Sequence, residues 1–381
     1  MFQKIRPLYF LFLLFVLFSC KSEADKIAEQ TTTRNALIDS TINSFQKKLL
    51  TQQIDSVFSK YNFNGSVAVI KNDEILYQKE NGFEDFKQKK KLDSSSVFAI
   101  ASVSKQFTAV LVLLLEDEGK LNTEDKVSKY LTDFQTSPFK NITIKELLNH
   151  TSGISDFGNG LVSEPGKAFN YSNKGFMLVG EIVGKVSGKS YDENVKELFE
   201  KAGMKNSFTA NSFNGKNFAS AFTGNSKSFQ AVENMPKRLA DKSISVPAGG
   251  ILSTVNDLHR WNTALYQDRI LKPESLKKFM EKSADRNHPI LGKMDYGLGM
   301  MMNVGKPLAY FHTGYVKGAP SLLIYYPESK TSVIILSNIA DEMNGKNAIF
   351  NPHKKVKEIT DAIQNTVIEL RKEMIKTTLQ Q

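Results

Sequence analysis

Ser102 and Lys105 are the residues of this chain best placed for covalent chemistry, because a hydroxyl and an amine stand three residues apart where an extended segment enters a helix. At this spacing both side chains lie on one face of the same helical turn. A serine hydroxyl is a poor nucleophile until a base takes its proton, and a partly desolvated lysine with a lowered pKa can be that base. The pair therefore predicts a serine nucleophile with Lys105 as its base.

The same spacing occurs three more times, so the surrounding sequence has to select one pair. The other pairs are Ser44–Lys47 in a polar helical run, Ser137–Lys140 in a loop, and Ser275–Lys278 in a lysine-rich helix. Only Ser102 opens a helix that is almost wholly apolar, with aliphatic residues throughout 110–115. Such a run predicts a buried helix that holds its first turn rigid at the base of a cleft. Taken alone, Ser102 could still be an N-cap serine beside a surface lysine.

Two further motifs carry groups that could assist acyl transfer. Tyr171 and Asn173 place a phenol and an amide two residues apart ahead of a helix, where the phenol can move a proton and the amide can bind a carbonyl. His312, Thr313 and Gly314 end a strand, and a glycine there lets a substrate backbone lie alongside. The residues alone leave simpler interpretations open: a core tyrosine with a helix-capping asparagine, and an ordinary hairpin with a half-buried histidine.

The three motifs, in the order S-x-x-K, Y-x-N and H-T-G, resemble the serine β-lactamase and penicillin-binding protein superfamily, specifically its class C and DD-peptidase branch. The segments 147–154 (LLNHTSGI), 247–254 (PAGGILST) and 296–299 (YGLG) support the resemblance, which covers roughly residues 45 to 345. It implies an acyl-enzyme mechanism that requires no metal and no cofactor. In the catalytic roles that it implies, Ser102 attacks a carbonyl, Lys105 and Tyr171 handle the protons, and the backbone N–H groups of Ser102 and Tyr315 form the oxyanion hole.

The resemblance also implies substrate-binding roles for Asn173, His312, Thr313 and Gly314. Thr313 and His312 would face a substrate carboxylate. Class C β-lactamases carry lysine where this chain has His312, and a histidine near pH 7 is mostly neutral. The H-T-G form is more similar to secreted DD-carboxypeptidases, D-amino-acid peptidases and esterases of the same fold. The activity that this resemblance implies is that of a DD-carboxypeptidase on D-alanyl peptides of the cell wall. A carboxylesterase or amidase, a β-lactamase, and a non-catalytic peptidoglycan-binding lipoprotein are the alternatives.

The fold expected from pattern and resemblance is α+β, with an antiparallel sheet flanked by helices, an all-helical lobe, and the active site between them. A helix at 42–61 and a hairpin from residue 65 to 78 open the sheet, and three strands between 308 and 337 close it before a long amphipathic helix. The α/β part is predicted at about 39–121 and 240–381, and the helical lobe at about 122–239. Together they form one hydrolase domain, 39–381.

The start of the chain predicts export. Lys4 and Arg6 precede an apolar run that ends at Ser19 and Cys20, which is typical of a bacterial lipoprotein signal peptide at 1–19 with Cys20 lipidated. A free or buried cysteine is the alternative for Cys20. Residues 20–38 are then expected to be a flexible polar tether. This predicts a location in the cell envelope, lipid-anchored to a membrane and facing the periplasm or the exterior.

The composition limits the partners. The net charge of +10 comes from scattered lysines and forms no basic stripe interleaved with aromatic residues, which argues against nucleic-acid binding. The expected partner is a small molecule or peptide with an electrophilic carbonyl. The histidines outside the third motif show no metal-ligand spacing and are predicted to be structural or exposed; they are His150, His259, His288 and His353. The oligomeric state stays open.

Overall fold

The computed structural model describes residues 22–136, 138–225 and 227–379, and the predicted signal peptide, Cys20 and Ser137 lie outside them. The helices of these ranges lie at both ends of the chain and in its middle. They are α1 (Glu23–Tyr61), α2 (Ser104–Asp117), α3 (Ile144–Leu148), α4 (Asn173–Ser187), α5 (Tyr191–Ala202), α6 (Val246–Gly249), α7 (Val255–Tyr266), α8 (Pro273–Met280) and α9 (Gly345–Leu379). Within these ranges no helix combines the length and the apolar composition needed to cross a membrane.

The strands form one large sheet and three small ones. The eight-stranded sheet has the order β10-β11-β12-β13-β14-β15-β1-β2, and all its pairings are antiparallel, as predicted. The strands are β1 (Gly65–Lys71), β2 (Glu74–Asn81), β3 (Phe83–Asp85), β4 (Lys90–Lys91), β5 (Phe98–Ala99), β6 (Phe208–Thr209), β7 (Phe222–Asn225), β8 (Ser228–Ala231), β9 (Ile251–Ser253), β10 (Ala284–His288), β11 (Gly292–Tyr296), β12 (Met301–Met302), β13 (Tyr310–Val316), β14 (Ala319–Tyr326), β15 (Thr331–Ser337) and β16 (Ile339–Ala340).

Both faces of the large sheet are covered. In β1, Val67 and Val69 join the apolar cluster formed with α1 and α9, whereas Ala68 and Ile70 join the cluster on the other face, which contains α2, α4 and α7. This alternation follows from the two-residue period of a strand. Because both faces are buried, β14 and β15 are almost continuously apolar. Helix α2, which begins next to Ser102, is therefore held between the sheet and the helices of the middle of the chain.

The expected flexible tether needs correction, because residues 23–38 are helical. Ser22 and Asp25 form a capping box that starts α1, and the helix then continues without interruption to Tyr61. Ile38 is buried in the cluster with α9, and Asp39 forms an ion pair with Arg371 of that helix. The predicted helix at 42–61 is thus the C-terminal part of a longer one.

The middle of the chain is also not helical throughout, which corrects the expected all-helical lobe at 122–239. Helices α3, α4 and α5 lie within it, but β6, β7 and β8 follow them. These strands have only two to four residues. β6 and β7 pair with distant segments, Thr209 with Ile251 of β9 and Phe222 with Ile339 of β16, and β8 pairs with β7. Strands this short carry no periodic signal in the sequence.

Candidate active site

Ser102 lies on a tight turn that its neighbours hold in place. It belongs to a single 3₁₀ turn, Ala101–Val103, between β5 and α2, and its side chain is partly exposed. Ala101 before it has φ +49°, a left-handed conformation uncommon for a residue with a Cβ. The turn is tied to the sheet because Ser321 Oγ donates to the carbonyl oxygen of Ile100 at 2.7 Å. Rigid support of this kind keeps a nucleophile in one orientation.

Lys105 occupies the first turn of α2 and is completely buried. Its Nζ lies 3.2 Å from Ser102 Oγ, 2.8 Å from Asn173 Oδ1 and 2.7 Å from the carbonyl oxygen of Ala248. Burial lowers the pKa of Lys105, while Tyr171 and the carboxylate of Asp156 oppose that shift. In the neutral amine two hydrogens go to Asn173 and Ala248, and the lone pair is left for the Ser102 hydroxyl. This arrangement lets Lys105 accept the serine proton.

Asn173 links Lys105 to Asp156, a residue that the sequence did not single out. Its Oδ1 accepts from Lys105, and its Nδ2 donates to Asp156 Oδ2 at 3.2 Å. Asp156 also accepts at Oδ1 from Ser172 Oγ at 2.8 Å and from the backbone N–H of Lys174 at 3.0 Å, both at the start of α4. These bonds fix which way the Asn173 amide points, with its oxygen toward the lysine.

Tyr171 stands at the centre of a group of rings and cations. Its ring centroid lies 4.9 Å from Lys105 Nζ and 4.2 Å from the ring centroid of His150. Arg286, on β10, places its guanidinium carbon 4.7 Å from the same ring and 5.5 Å from that of Phe169. In the part of the chain that the structure describes, no carboxylate forms an ion pair with Arg286. Its guanidinium therefore contacts aromatic faces, which attract a cation, instead of a carboxylate.

His150, Tyr296 and His312 form a buried chain of hydrogen bonds whose proton positions follow from their partners. The backbone N–H of Ser172 donates to His150 Nδ1, so the proton of His150 is on Nε2 and is donated to the Tyr296 hydroxyl at 3.1 Å. Tyr296 donates to His312 Nε2 at 3.1 Å, and His312 Nδ1 donates to the carbonyl oxygen of Thr313 at 2.5 Å. Burial, together with Lys105 and Arg286, keeps the pKa of both histidines well below the ordinary value.

The hydrogen bonds through His150, Tyr296 and His312 connect the two sides of the cleft. Ser172 lies between Tyr171 and Asn173 of the second motif, and Thr313 belongs to the third motif on β13. Both ring nitrogens of His312 are engaged inside the protein, so its ring has no donor left for a substrate carboxylate. His312 instead ties β13 to the segment that carries Tyr171.

Gly314 allows β13 to approach the turn that carries Ser102. A Cβ at this position would lie 2.3 Å from the carbonyl oxygen of Ile100, 2.3 Å from Ser321 Oγ and 3.1 Å from Ala101 Cβ. Only glycine fits at these distances. Beyond Phe311, β13 extends past β12, so within the described ranges His312–Val316 pairs with β14 on one side only. The other edge is open to an extended ligand.

Comparison with known proteins identifies the family. The Beta-lactamase family model matches residues 48–351. The chain belongs to this family. Penicillin-binding protein 4* of Bacillus subtilis is 29% identical over 80% of this chain and 74% of its own. Two solved structures share the fold: a penicillin-binding protein from Bacillus halodurans (TM-score 0.68, 23% identity, 81% of this chain and 99% of that one) and a D-amino acid amidase from Ochrobactrum anthropi SV3 (TM-score 0.69, 20% identity, 83% and 99%).

The structure of this Beta-lactamase family member gathers the sequence-predicted residues into one cleft. Lys105 contacts Ser102, Tyr171 and Asn173 directly. The third motif adjoins the Ser102 turn through Gly314. The competing serines lie elsewhere: Ser44 is exposed on α1, and Ser275 donates to Asp117 at the start of α8. The chain is a serine hydrolase of the β-lactamase and penicillin-binding protein family.

Four residues that touch this site were missed or read as structural from the sequence; they are His150, Asp156, Arg286 and His288. The segment around Asp156 has no periodicity, and Arg286 and His288 lie on an edge hairpin that is polar along its outer side. His150 stood within the LLNHTSGI segment, and its φ of +63° marks it as unusual only once the structure is available. Tertiary packing brings all four to the cleft.

Proposed function

We propose that the protein is an exported DD-carboxypeptidase-like hydrolase that removes the C-terminal residue from D-alanyl peptides of the cell wall. The observation that carries the proposal is the buried Lys105 amine, which contacts Ser102 Oγ while Asn173 and Ala248 take its other hydrogen bonds. A general base contributes roughly 100- to 10,000-fold to such a reaction. The catalytic and substrate-binding roles of the site residues are part of the proposal.

The proposed reaction has two displacements. Ser102 Oγ attacks the carbonyl carbon of the penultimate residue as its proton moves to Lys105, and the backbone N–H groups of Ser102 and Tyr315 stabilise the negative oxygen. The C–N bond to the terminal amino acid breaks, and the proton passes to the leaving amine by way of Lys105 and Tyr171. Water then attacks the acyl-enzyme ester, gives a proton to the same groups, and releases the shortened peptide with free Ser102.

The proposed substrate class rests on two features of the cleft. The open edge of β13 offers main-chain groups to an extended peptide, with Asn173 on the opposite side to bind the amide carbonyl. Arg286 and the Thr313 hydroxyl are the groups proposed to bind a terminal carboxylate, because the ring of His312 is engaged within the protein. An arginine that lacks a carboxylate partner suits a carboxylate ligand through charge-assisted hydrogen bonds.

A carboxylesterase or amidase is the second candidate, and one observation favours it. The third motif of this chain contains a neutral histidine, whereas a class C β-lactamase has a permanent cation there. If Arg286 serves only to stack on Tyr171, the cleft contains no carboxylate anchor, and neutral esters or amides would be its substrates. Efficient β-lactam hydrolysis is the least favoured activity for the same reason, and a non-catalytic peptidoglycan-binding lipoprotein would have no use for the reactive serine.

Export and anchoring are proposed from the first twenty residues. The signal-like segment 1–19 and Cys20 support a lipoprotein attached to a membrane of the cell envelope, facing the periplasm or the exterior. Metabolic labelling with a clickable palmitate analogue tests this in cells that express the full chain. Wild type should carry the label and Cys20→Ser should not; equal labelling of both, or of neither, contradicts the anchor.

Mass spectrometry of the intact protein, together with assays of released D-alanine and nitrophenol, tests the activity. Wild type and Ser102→Ala are incubated with a fluorescent penicillin, a peptide ending in D-Ala-D-Ala, and a short-chain nitrophenyl ester. The proposal expects a covalent penicillin adduct on Ser102 and release of D-alanine, both absent in Ser102→Ala. Turnover of the ester alone would favour the esterase, and a wild type unlabelled by both penicillin and a fluorophosphonate would favour the binding protein.

A further inference from the structure

A second histidine, His288, contacts the third motif from the end of β10. Its Nε2 lies 3.3 Å from Thr313 Oγ1, and its Nδ1 lies 3.1 Å and 3.2 Å from the backbone nitrogens of Ile290 and Leu291. His288 is 7% exposed and Thr313 is equally buried, so water contributes little to this contact. The histidine was predicted to be structural or exposed, yet it touches a residue proposed to bind substrate.

The two backbone contacts determine where the proton of His288 is. Both Ile290 and Leu291 direct an N–H group at Nδ1, so Nδ1 accepts and carries no hydrogen. A neutral ring then has its proton on Nε2, which donates to Thr313 Oγ1. Burial and the charge of Arg286 lower the pKa of His288 to about 4, which keeps the ring neutral near pH 7.

The direction of this hydrogen bond determines what Thr313 can do. Because Oγ1 accepts from His288, the hydroxyl hydrogen of Thr313 points elsewhere, and it has no acceptor among the described residues. If His288 Nε2 accepted the hydrogen bond instead, the Thr313 hydroxyl would donate its hydrogen to His288 and present only lone pairs to a ligand. Lone pairs repel a carboxylate, whereas an O–H group binds it.

We propose that His288 is a positioning residue that turns the Thr313 hydroxyl into a hydrogen-bond donor for an anionic group of the substrate. This inference deepens the proposed function and rests on it for the identity of that group, the terminal carboxylate. Arg286 lies two residues before His288 on the same strand, so its side chain falls on the same side of β10. One edge strand thus supplies both the cation and the residue that orients the neutral donor.

The kinetic test compares one peptide in two forms. kcat and KM are measured for a D-Ala-D-Ala peptide with a free carboxylate and for the same peptide as its C-terminal amide, using wild type, His288→Leu and His288→Gln. We expect His288→Leu to lower kcat/KM about tenfold on the carboxylate form, mainly through KM, and less than twofold on the amide. The glutamine amide can donate to Thr313 and accept from the turn, so His288→Gln should recover most of the loss.

Two controls separate positioning from a general structural role. His259→Leu removes a histidine of α7 that bonds to Ser332 and Asp73, and it should leave both substrates unchanged. An equal loss on both peptide forms in His288→Leu, or no recovery with His288→Gln, would overturn the proposal.

A spectroscopic measurement does not depend on the substrate. Long-range ¹H–¹⁵N correlation spectra of the full protein at pH 7 should show His288 with its proton on Nε2, and Thr313→Val should shift that signal. A proton on Nδ1 would refute the hydrogen bond. If wild type hydrolyses the two peptide forms equally, the proposed substrate class fails, and the spectra still decide whether His288 donates to Thr313.

Discussion

Asp156 Oδ2 accepts a 3.2 Å hydrogen bond from Asn173 Nδ2, and this contact holds the amide oxygen of Asn173 against Lys105. The carboxylate also raises the pKa of Lys105 against the effect of burial. A residue from an irregular loop therefore influences both the geometry and the protonation of the proposed base.

The first prediction concerns the charge of Asp156. In Asp156→Asn the shape is retained and the negative charge is lost, so the pKa of Lys105 should fall further. Because the base must be unprotonated, the acidic limb of kcat/KM should move to lower pH, while the plateau should drop about tenfold as Asn173 loses its fixed orientation. A pH–rate profile with a nitrophenyl ester measures both effects. An acidic limb that stays in place would show that Lys105 is not the titrating base.

The second prediction separates the proposed catalytic pair, Ser102 and Lys105, from a second pair with the same spacing. Lys105→Met keeps the length of the side chain and removes the amine, and acylation of Ser102 should slow on the order of 100- to 10,000-fold. Lys278→Met, in the Ser275–Lys278 pair, removes an ion pair with Glu116 outside the cleft and should leave the rate unchanged. Stopped-flow labelling by a fluorescent penicillin measures both, with circular dichroism to check folding. Similar rates for the two variants would contradict the assignment.

The third prediction concerns the approach of β13 to the turn that carries Ser102. In Gly314→Ala the new Cβ would meet the Ile100 carbonyl oxygen and Ser321 Oγ at 2.3 Å, so the strand must move away from Ala101. We expect acylation of Ser102 to fall at least 100-fold, as for loss of an oxyanion donor. Gly160→Ala is the matched control because nothing lies within 4 Å of its Cβ position. Activity in Gly314→Ala close to that of Gly160→Ala would contradict this role.

Local sequence pattern was enough to predict part of the fold and to select part of the candidate site. Ser102 and Lys105 could be selected because α2 is apolar on all sides, and β15 could be recognised from its run of β-branched residues. Asp156, Arg286 and His288 could not, because each reaches the cleft from a segment with no apolar periodicity. The sequence did not predict the helical start of α1, because a polar segment ahead of the first apolar-periodic residues is typical of a linker. The Ser22–Asp25 capping box nevertheless favours a helix there.

The fourth prediction concerns the hydroxyl of Tyr296. Tyr296→Phe keeps the ring packed against His150 and leaves His150 Nε2 and His312 Nε2 buried without a partner. This should cost about 1–3 kcal/mol in the free energy of unfolding for each unpaired group. It should also lower kcat/KM, because Thr313 and Ser172 are no longer connected. Urea denaturation and ester turnover measure the two effects.

Tyr326→Phe is the control for that substitution. Tyr326 is buried in the same apolar cluster as Tyr296, but its hydroxyl bonds to Thr360 and Asp361 of α9 and to no residue of the cleft. It should lose a similar amount of stability and keep its activity. If Tyr296→Phe behaves in the same way, the buried chain is a stability element with no influence on the cleft.

The fifth prediction is a loss of stability in mild acid. His353, on α9, donates from Nε2 to the carbonyl oxygen of Pro320, and burial lowers its pKa to about 4. In the unfolded chain a histidine takes up its proton near pH 6.5. Between these two values the unfolded state binds one more proton than the folded state, so the free energy of unfolding falls as the pH falls. For one histidine the slope is at most about 1.4 kcal/mol per pH unit. His150 and His312 act in the same direction.

Urea denaturation at pH 7.0 and pH 4.5 tests this on wild type and His353→Phe. The phenylalanine keeps the ring contacts with Phe63 and Phe350 and cannot be protonated. The free energy of unfolding of His353→Phe should therefore differ less between the two pH values than that of wild type. At pH 7.0 it should be lower than that of wild type, because the hydrogen bond to Pro320 is lost. An identical pH dependence in the two proteins would mean that His353 is protonated near pH 6.5 in the folded state as well, which would contradict its burial against α9 and the sheet.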